Sequence, residues 1–154
     1  MMLSDNLSYK EVIYSATAIA REIPNEPTIE HLENLKAIAK NVFQPLRDHF
    51  GVPIKVTSGY RSKELNDAIG GSSTSQHSFG QALDLDADAF GGITNAQIFA
   101  FIDERLVFDQ MIWEFGDNKN PDWVHVSYKT DGKNRGEKLI AYKKNGKTKY
   151  KLHG

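Results

Sequence analysis

The chain has 154 residues, of which 40% are hydrophobic and 25% charged, with no cysteine and a formal net charge of -1. This composition is typical of a globular protein and excludes a disordered chain, while the lack of cysteine excludes disulfides and thiolate metal sites. No run of about 18 apolar residues could span a membrane, and the N-terminus lacks the features of a signal peptide, so we expect synthesis in the cytoplasm without membrane insertion.

Two helical patterns occupy the N-terminal third of the chain. Residues 8–23 repeat apolar side chains at helical intervals. Residues 28–50 give the clearest helix, with Thr28 as its predicted N-cap and Gly51 as its stop. Pro45 is expected to kink the last turns of this helix, because proline cannot donate a backbone hydrogen bond.

Short strand patterns dominate the rest of the chain. Strands are predicted over residues 53–60, 82–87, 108–115 and 122–128, with helices over 62–71 and 94–106. Helices followed mostly by strands favour an α+β fold, in which a small antiparallel sheet packs against the N-terminal helices. No repeat or linker divides the chain, so we expect one domain over residues 1–154.

The C-terminal segment is basic, although the chain as a whole is not. Residues 129–154 contain nine Lys or Arg and two acidic residues. Residues 137–152 alternate around an Asn-Gly pair, which predicts a β-hairpin whose lysines protect a sheet edge. Alternatively, these lysines attract a polyanion such as nucleic acid or an anionic cell envelope. No nucleic-acid-binding motif accompanies them, so we expect no nucleic-acid partner.

Two of the five histidines lie in segments suited to a metal site. His77 is in a Ser/Gly-rich loop before an acidic strand, and His125 lies within a predicted strand, on the same face as Trp123 and Ser127. Together with Asp84 they supply two imidazoles and a carboxylate, a set that leaves one zinc position open for water. The alternative for each histidine is a packed or solvated side chain, because such residues occur by chance in many chains.

Three motifs resemble, in order and spacing, those of the zinc D-alanyl-D-alanine carboxypeptidase family. They are SGYRS (58–62), STSQHSFGQALDLD (73–86) and DWVHVS (122–127), and the resemblance covers residues 30–130. The family includes D-Ala-D-Ala dipeptidases and bacteriophage L-alanyl-D-glutamate endolysins, and it shares its fold with the hedgehog signalling domain. This chain is most similar to the compact carboxypeptidase-like branch that is common in phage genomes.

The resemblance implies a role for particular residues. His77, Asp84 and His125 are implied as the ligands of one zinc ion. Asp122, three residues before the last histidine, is implied as the general base, although strict strand alternation would point it away from His125 unless the preceding turn re-aims it. Arg61 of SGYRS matches an arginine that stabilises the developing oxyanion of the scissile carbonyl.

Other readings of these and neighbouring residues stay open. Arg61 could instead form an ion pair with Glu64 or Asp67 at the start of a helix. Ser75 matches the first position of the longest motif and is expected to bind the peptide or to brace the ligand loop, with an ordinary turn serine as the alternative. Trp123 could form a floor for the substrate or belong to the core.

The motifs together favour an enzyme, a monomeric zinc peptidase that cuts a bond next to a D-amino acid in peptidoglycan stem peptides. It would reach the cell wall after phage-type release or as a virion component. The acid at Asp122 and the cation at Arg61 support catalysis, since a binding module needs neither. If Asp122 is not the base, Glu114 is the nearest acidic candidate.

The alternative class is a non-catalytic zinc-containing module for cell-wall binding or virion structure. The sequence leaves open whether the enzyme is a DD-carboxypeptidase, a dipeptidase or an LD-endopeptidase.

Overall fold

A six-stranded sheet forms the centre of the computed structural model, which describes residues 1–154. The strands of the chain are β1 (Met2–Ser4), β2 (Leu7–Ser8), β3 (Lys55–Ser58), β4 (Ala82–Asp86), β5 (Gln110–Glu114), β6 (Trp123–Ser127), β7 (Glu137–Lys144) and β8 (Lys147–Leu152). The first two form a small separate sheet, and the others lie in the order β3-β4-β6-β5-β7-β8. With helices on one face of this sheet, the predicted α+β class is confirmed.

Six α-helices accompany the strands. They are α1 (Tyr9–Ile13), α2 (Ala16–Ala20), α3 (Ile29–Ile38), α4 (Gln44–Phe50), α5 (Lys63–Ala68) and α6 (Asn95–Arg105). None of them combines the length and the apolarity that crossing a bilayer requires.

The two N-terminal helical patterns differ in detail from the prediction. Residues 8–23 form two short helices instead of one, because the Ser15 side chain accepts a hydrogen bond from the Ala18 N–H and begins a second helix. Residues 29–50 are helical throughout, with Thr28 as the N-cap, but a π-helical turn at Ala39–Phe43 joins α3 to α4. This wide turn ends two residues before Pro45, close to the position at which the sequence predicted a kink.

The two faces of the large sheet have different roles. One face packs against α3 and α6, and its core side chains are fully buried: Leu83, Leu85, Met111, Val124, Val126. Successive strand residues point to opposite faces, so the residues between these core positions share the other face. That face carries Asp84 of β4, His125 of β6 and Glu114 of β5, and it is not covered by a helix.

One pair of strands in the large sheet is parallel, so the sheet is mixed and not purely antiparallel. β7 runs parallel to β5, from Gln110↔Glu137 to Glu114↔Ala141. The end of β6 and the start of β7 lie on opposite sides of the start of β5. The connection over residues 128–136 therefore crosses the start of β5 to reach its other edge. Buried Asp109 holds the connection, since its carboxylate accepts hydrogen bonds from the Arg135 side chain at 2.9 and 3.0 Å.

The C-terminal hairpin has the predicted strands and turn. β7 and β8 pair antiparallel from Leu139↔Leu152 to Lys144↔Lys147. Asn145 and Gly146 form the turn with positive φ values of 53° and 76°, as a two-residue hairpin loop requires.

Candidate metal and active site

His77, Asp84 and His125 meet on the open face of the sheet. Asp84 and His125 are cross-strand partners on β4 and β6, and His77 approaches from a 3₁₀ turn at Gln76–Phe79. Asp84 Oδ1 lies 3.2 Å from His77 Nε2 and 3.1 Å from His125 Nδ1. One donor atom from each residue falls within 4.8 Å of the others, so this group could hold a metal ion.

The protonation of His77 is fixed by its backbone partner. Its Nδ1 lies 2.7 Å from the Gly59 carbonyl oxygen, which can only accept a hydrogen bond. The proton of a neutral imidazole therefore sits on Nδ1, and the lone pair of Nε2 faces Asp84.

Hydrogen bonds from Asp109 through Gln76 fix which ring nitrogen of His125 carries the proton. The Asp109 carboxylate accepts a hydrogen bond from Gln76 Nε2 at 3.3 Å, so the amide oxygen of Gln76 points away from Asp109. That oxygen lies 2.8 Å from His125 Nε2 and accepts its N–H. The lone pair of His125 Nδ1 consequently faces Asp84, and hydrogen bonds of this kind commonly orient metal-ligating histidines.

The donor set fits one zinc ion. Two imidazole lone pairs and a carboxylate oxygen converge with no hydrogen between them, an arrangement that needs a cation. Two histidines and one carboxylate are zinc ligands that leave a position open for water, as catalytic sites require.

The short spacing between His77 and Asp84 depends on Gly80. This glycine ends the 3₁₀ turn with φ +70° and directs the chain into β4. A side chain at this position would collide with the His31 carbonyl oxygen. The Asn34 side chain donates to the Phe79 carbonyl oxygen at 2.9 Å and ties the same turn to α3.

Two carboxyl groups of the site have opposite pKa shifts. Burial alone would raise the pKa of Asp84, but when His77 and His125 carry a second proton, their charges and the hydrogen bonds that they then donate hold it well below its usual range. Burial raises the pKa of Glu114 to about 7, a shift that His125 opposes and Asp84 reinforces. Glu114 is 8% exposed, and a carboxylate with this pKa can take up and release a proton near neutral pH.

The three donor residues lie in an open cavity of about 750 Å³. One side of the cavity is the loop over residues 71–76, and the other is the C-terminal hairpin. Glu114, Ser75 and Trp123 also line it, so the structure brings these predicted residues to the donor group.

Arg61 lines the same cavity and has no acidic partner. It forms no ion pair with Glu64 or Asp67, and its buried Nε has no hydrogen-bond partner. Burial lowers the pKa of Arg61 and the charge of Asp84 opposes this shift, but a guanidinium keeps its charge at neutral pH. The side chain is therefore available to an anionic oxygen.

Asp122 does not reach this cavity. Its side chain is exposed and lines a second cavity, while its backbone N–H donates to the Glu114 carbonyl oxygen at 2.9 Å. The turn before β6 does not re-aim the Asp122 carboxylate, so strand alternation is preserved. Besides the donor residue Asp84, the acid on the His125 face is Glu114, and the alternation of FDQMIWEF (108–115) is a sequence signal that places it there. No comparable pattern marks Gln76, because it lies in an irregular turn.

These features are those of a metallopeptidase, and comparison with known proteins agrees. The chain belongs to the Peptidase M15 family, whose family model matches residues 5–127. Peptidases of this family are zinc-dependent, in agreement with the His–Asp–His group. The match ends at the last residue of β6, so the C-terminal hairpin lies outside it. No curated protein is detectably similar to the chain.

Proposed function

We propose that this protein is a zinc peptidase that hydrolyses a peptide bond next to a D-amino acid in peptidoglycan stem peptides, with residues 1–154 as one catalytic domain. The observation that carries the proposal is that Glu114 and Arg61 share one open cavity with the donor group of His77, Asp84 and His125. The substrate class is supported by the resemblance of the three motifs to D-alanyl-D-alanine carboxypeptidases and endolysins.

The catalytic steps divide among four kinds of group. A zinc ion held by the three donor residues would supply a Lewis acid and lower the pKa of a bound water. Glu114 accepts the proton of the attacking water and passes it to the leaving amine, two tasks that a pKa of about 7 suits. The Arg61 guanidinium stabilises the negative charge that develops on the scissile carbonyl oxygen. Ser75 and Trp123 contact the bound peptide from the cavity wall.

The general base in this proposal is Glu114 and not Asp122. Glu114 faces the cavity, while Asp122 lies outside it. A general base must come within hydrogen-bond reach of the proton it removes, so position decides between the two acids.

The test compares matched variants on purified peptidoglycan, with the released fragments identified by mass spectrometry. Glu114→Gln should keep its zinc, measured by elemental analysis, but lose about 10²- to 10⁴-fold in rate. Asp122→Ala is the control and should cleave at the wild-type rate. The released ends also identify the bond, because free D-alanine and a cut after L-alanine give different masses.

Two results would contradict the proposal at different levels. A slow Asp122→Ala variant beside a normal Glu114→Gln variant would show that the base is assigned to the wrong acid. Zinc-loaded wild-type protein that releases no fragment from any peptidoglycan type, yet sediments with cell walls, would replace the peptidase with a non-catalytic binding module.

A further inference from the structure

The C-terminal hairpin forms one wall of the cavity. β7 pairs with β5 so that Ala141 lies beside Glu114, and the inward side chains of the hairpin share the face of Glu114. The hairpin side chains that line the cavity are Leu139, Lys143, Thr148 and Tyr150. Since the family match ends before β7, this wall is a feature of this chain beyond the matched region.

Lys143 is held in place within this wall, but its charge is not neutralised. Its Nζ donates to Thr148 Oγ1 at 2.9 Å and lies 5.4 Å from the centre of the Phe115 ring. No acidic side chain forms an ion pair with it. Arg135, another cation at the cavity, is bound to Asp109 instead. Lys143 is thus the free cation on the hairpin side.

Tyr150 supplies a hydrogen-bond donor on the same wall. It lies in line across the sheet with Ala141 and Glu114. Although Tyr150 is 55% exposed, its partial burial raises its pKa, and the negative charges of Glu114 and Asp84 raise it further. The phenol therefore keeps its proton at neutral pH and can donate to an anion.

None of the hairpin side chains that line the cavity is acidic. Asp84 and Glu114 are the acidic side chains that line the cavity, and both belong to the proposed catalytic group. An ammonium that forms no ion pair and a neighbouring phenol suit a carboxylate, because charge-assisted hydrogen bonds are stronger than neutral ones.

We propose that Lys143 and Tyr150 form a carboxylate-binding subsite, through which the enzyme selects peptides that carry a free carboxylate close to the bond being cut. The subsite rests on the proposed peptidase function and specifies its substrate class, acidic peptides in preference to their amidated forms. Lys143 pairs with the carboxylate, and the Tyr150 hydroxyl donates a second hydrogen bond to it.

The experiment uses two pairs of synthetic stem pentapeptides. One pair has a C-terminal D-alanine as the free acid or the amide, and the other has a D-glutamate α-carboxylate that is free or amidated. For at least one pair, wild-type protein should show a kcat/KM about 10- to 100-fold higher for the acid. Lys143→Met should remove that preference by raising KM for the acid peptide alone, and Tyr150→Phe should reduce it by about 3- to 10-fold.

Lys149→Met is the matched control. Lys149 pairs with Tyr142, on the face of the hairpin that points away from the cavity, so its removal should leave the preference intact. Equal kcat/KM for acid and amide in both pairs, or a preference that survives in Lys143→Met, would refute the subsite and leave the peptidase standing. Failure of all four peptides to be cleaved would refute the proposed function instead. In that case, calorimetric binding of the same peptides to wild type and Lys143→Met still decides the subsite.

Discussion

Replacing Gln76 with leucine should weaken zinc binding by about 10- to 100-fold without unfolding the protein. The Gln76 amide accepts the His125 Nε2–H at 2.8 Å and donates to Asp109 at 3.3 Å. Leucine leaves that N–H without an acceptor in a ring that is only 10% exposed, at a cost of about 1–3 kcal/mol. If the proton moves to Nδ1 instead, the cost falls, but the N–H then points at the metal position. Both outcomes oppose binding.

Competition with a chelator measures the zinc affinity, and nitrogen NMR of labelled histidine reports which ring nitrogen of His125 is protonated. Gln110→Leu is the matched control, because Gln110 lines the same cavity but donates to Glu137 at 2.7 Å and not to a ligand. Wild-type affinity in Gln76→Leu, or an equal loss in Gln110→Leu, would refute the argument that Gln76 orients His125.

Two further substitutions test the electrostatics and the ligand loop. Glu114→Gln should raise the free energy of unfolding of metal-free protein at about pH 8, by at most about 3 kcal/mol, and leave it unchanged at about pH 4. The pKa of about 7 in the folded protein lies above the ordinary value of 4.5, so deprotonation of Glu114 costs stability as pH rises between these two values. Urea titrations that show equal effects of the substitution at both pH values would contradict this. Gly80→Ala should lower the free energy of unfolding by more than about 1 kcal/mol and weaken zinc binding, because the His31 carbonyl leaves no room for a Cβ. Gly132→Ala is the control, because Gly132 has φ +79° but no atom within 4 Å of an added Cβ, so it measures the cost of the backbone conformation alone. A similar loss of zinc affinity in Gly132→Ala would refute the argument that a collision with the His31 carbonyl displaces the ligand loop.

The sequence predicted much of this site because strand alternation is a local property. The pattern of residues 82–87 separates Asp84 from the core leucines, and the pattern of residues 122–128 does the same for His125. For the base, the family resemblance and strand alternation disagreed: the resemblance implied Asp122, whereas alternation pointed the Asp122 side chain away from His125. The structure follows alternation and places Glu114 on the His125 face.

The features that local patterns missed depend on contacts between distant segments. An Asn-Gly turn predicts that β7 and β8 pair with each other, but it does not say where the hairpin docks. The parallel pairing of β7 with β5 depends on the connection that Asp109 holds through Arg135, and only this pairing brings the hairpin to the cavity. The link from Asp109 through Gln76 to His125 likewise joins three segments that no single window of sequence contains.

The cross-strand pairing of Asp84 with His125 also links metal uptake to strand alignment. Their neighbours Leu83 and Val126 are paired on the opposite face and are fully buried in the core. Because side chains alternate, a slip of one residue between β4 and β6 would turn one of the two ligands into the core and separate the donor atoms. A misaligned conformer would have no group able to retain zinc, and an ion that binds only the aligned sheet would draw the folding population towards it. The fraction of metal-loaded molecules in a preparation would then count those whose strands had paired correctly.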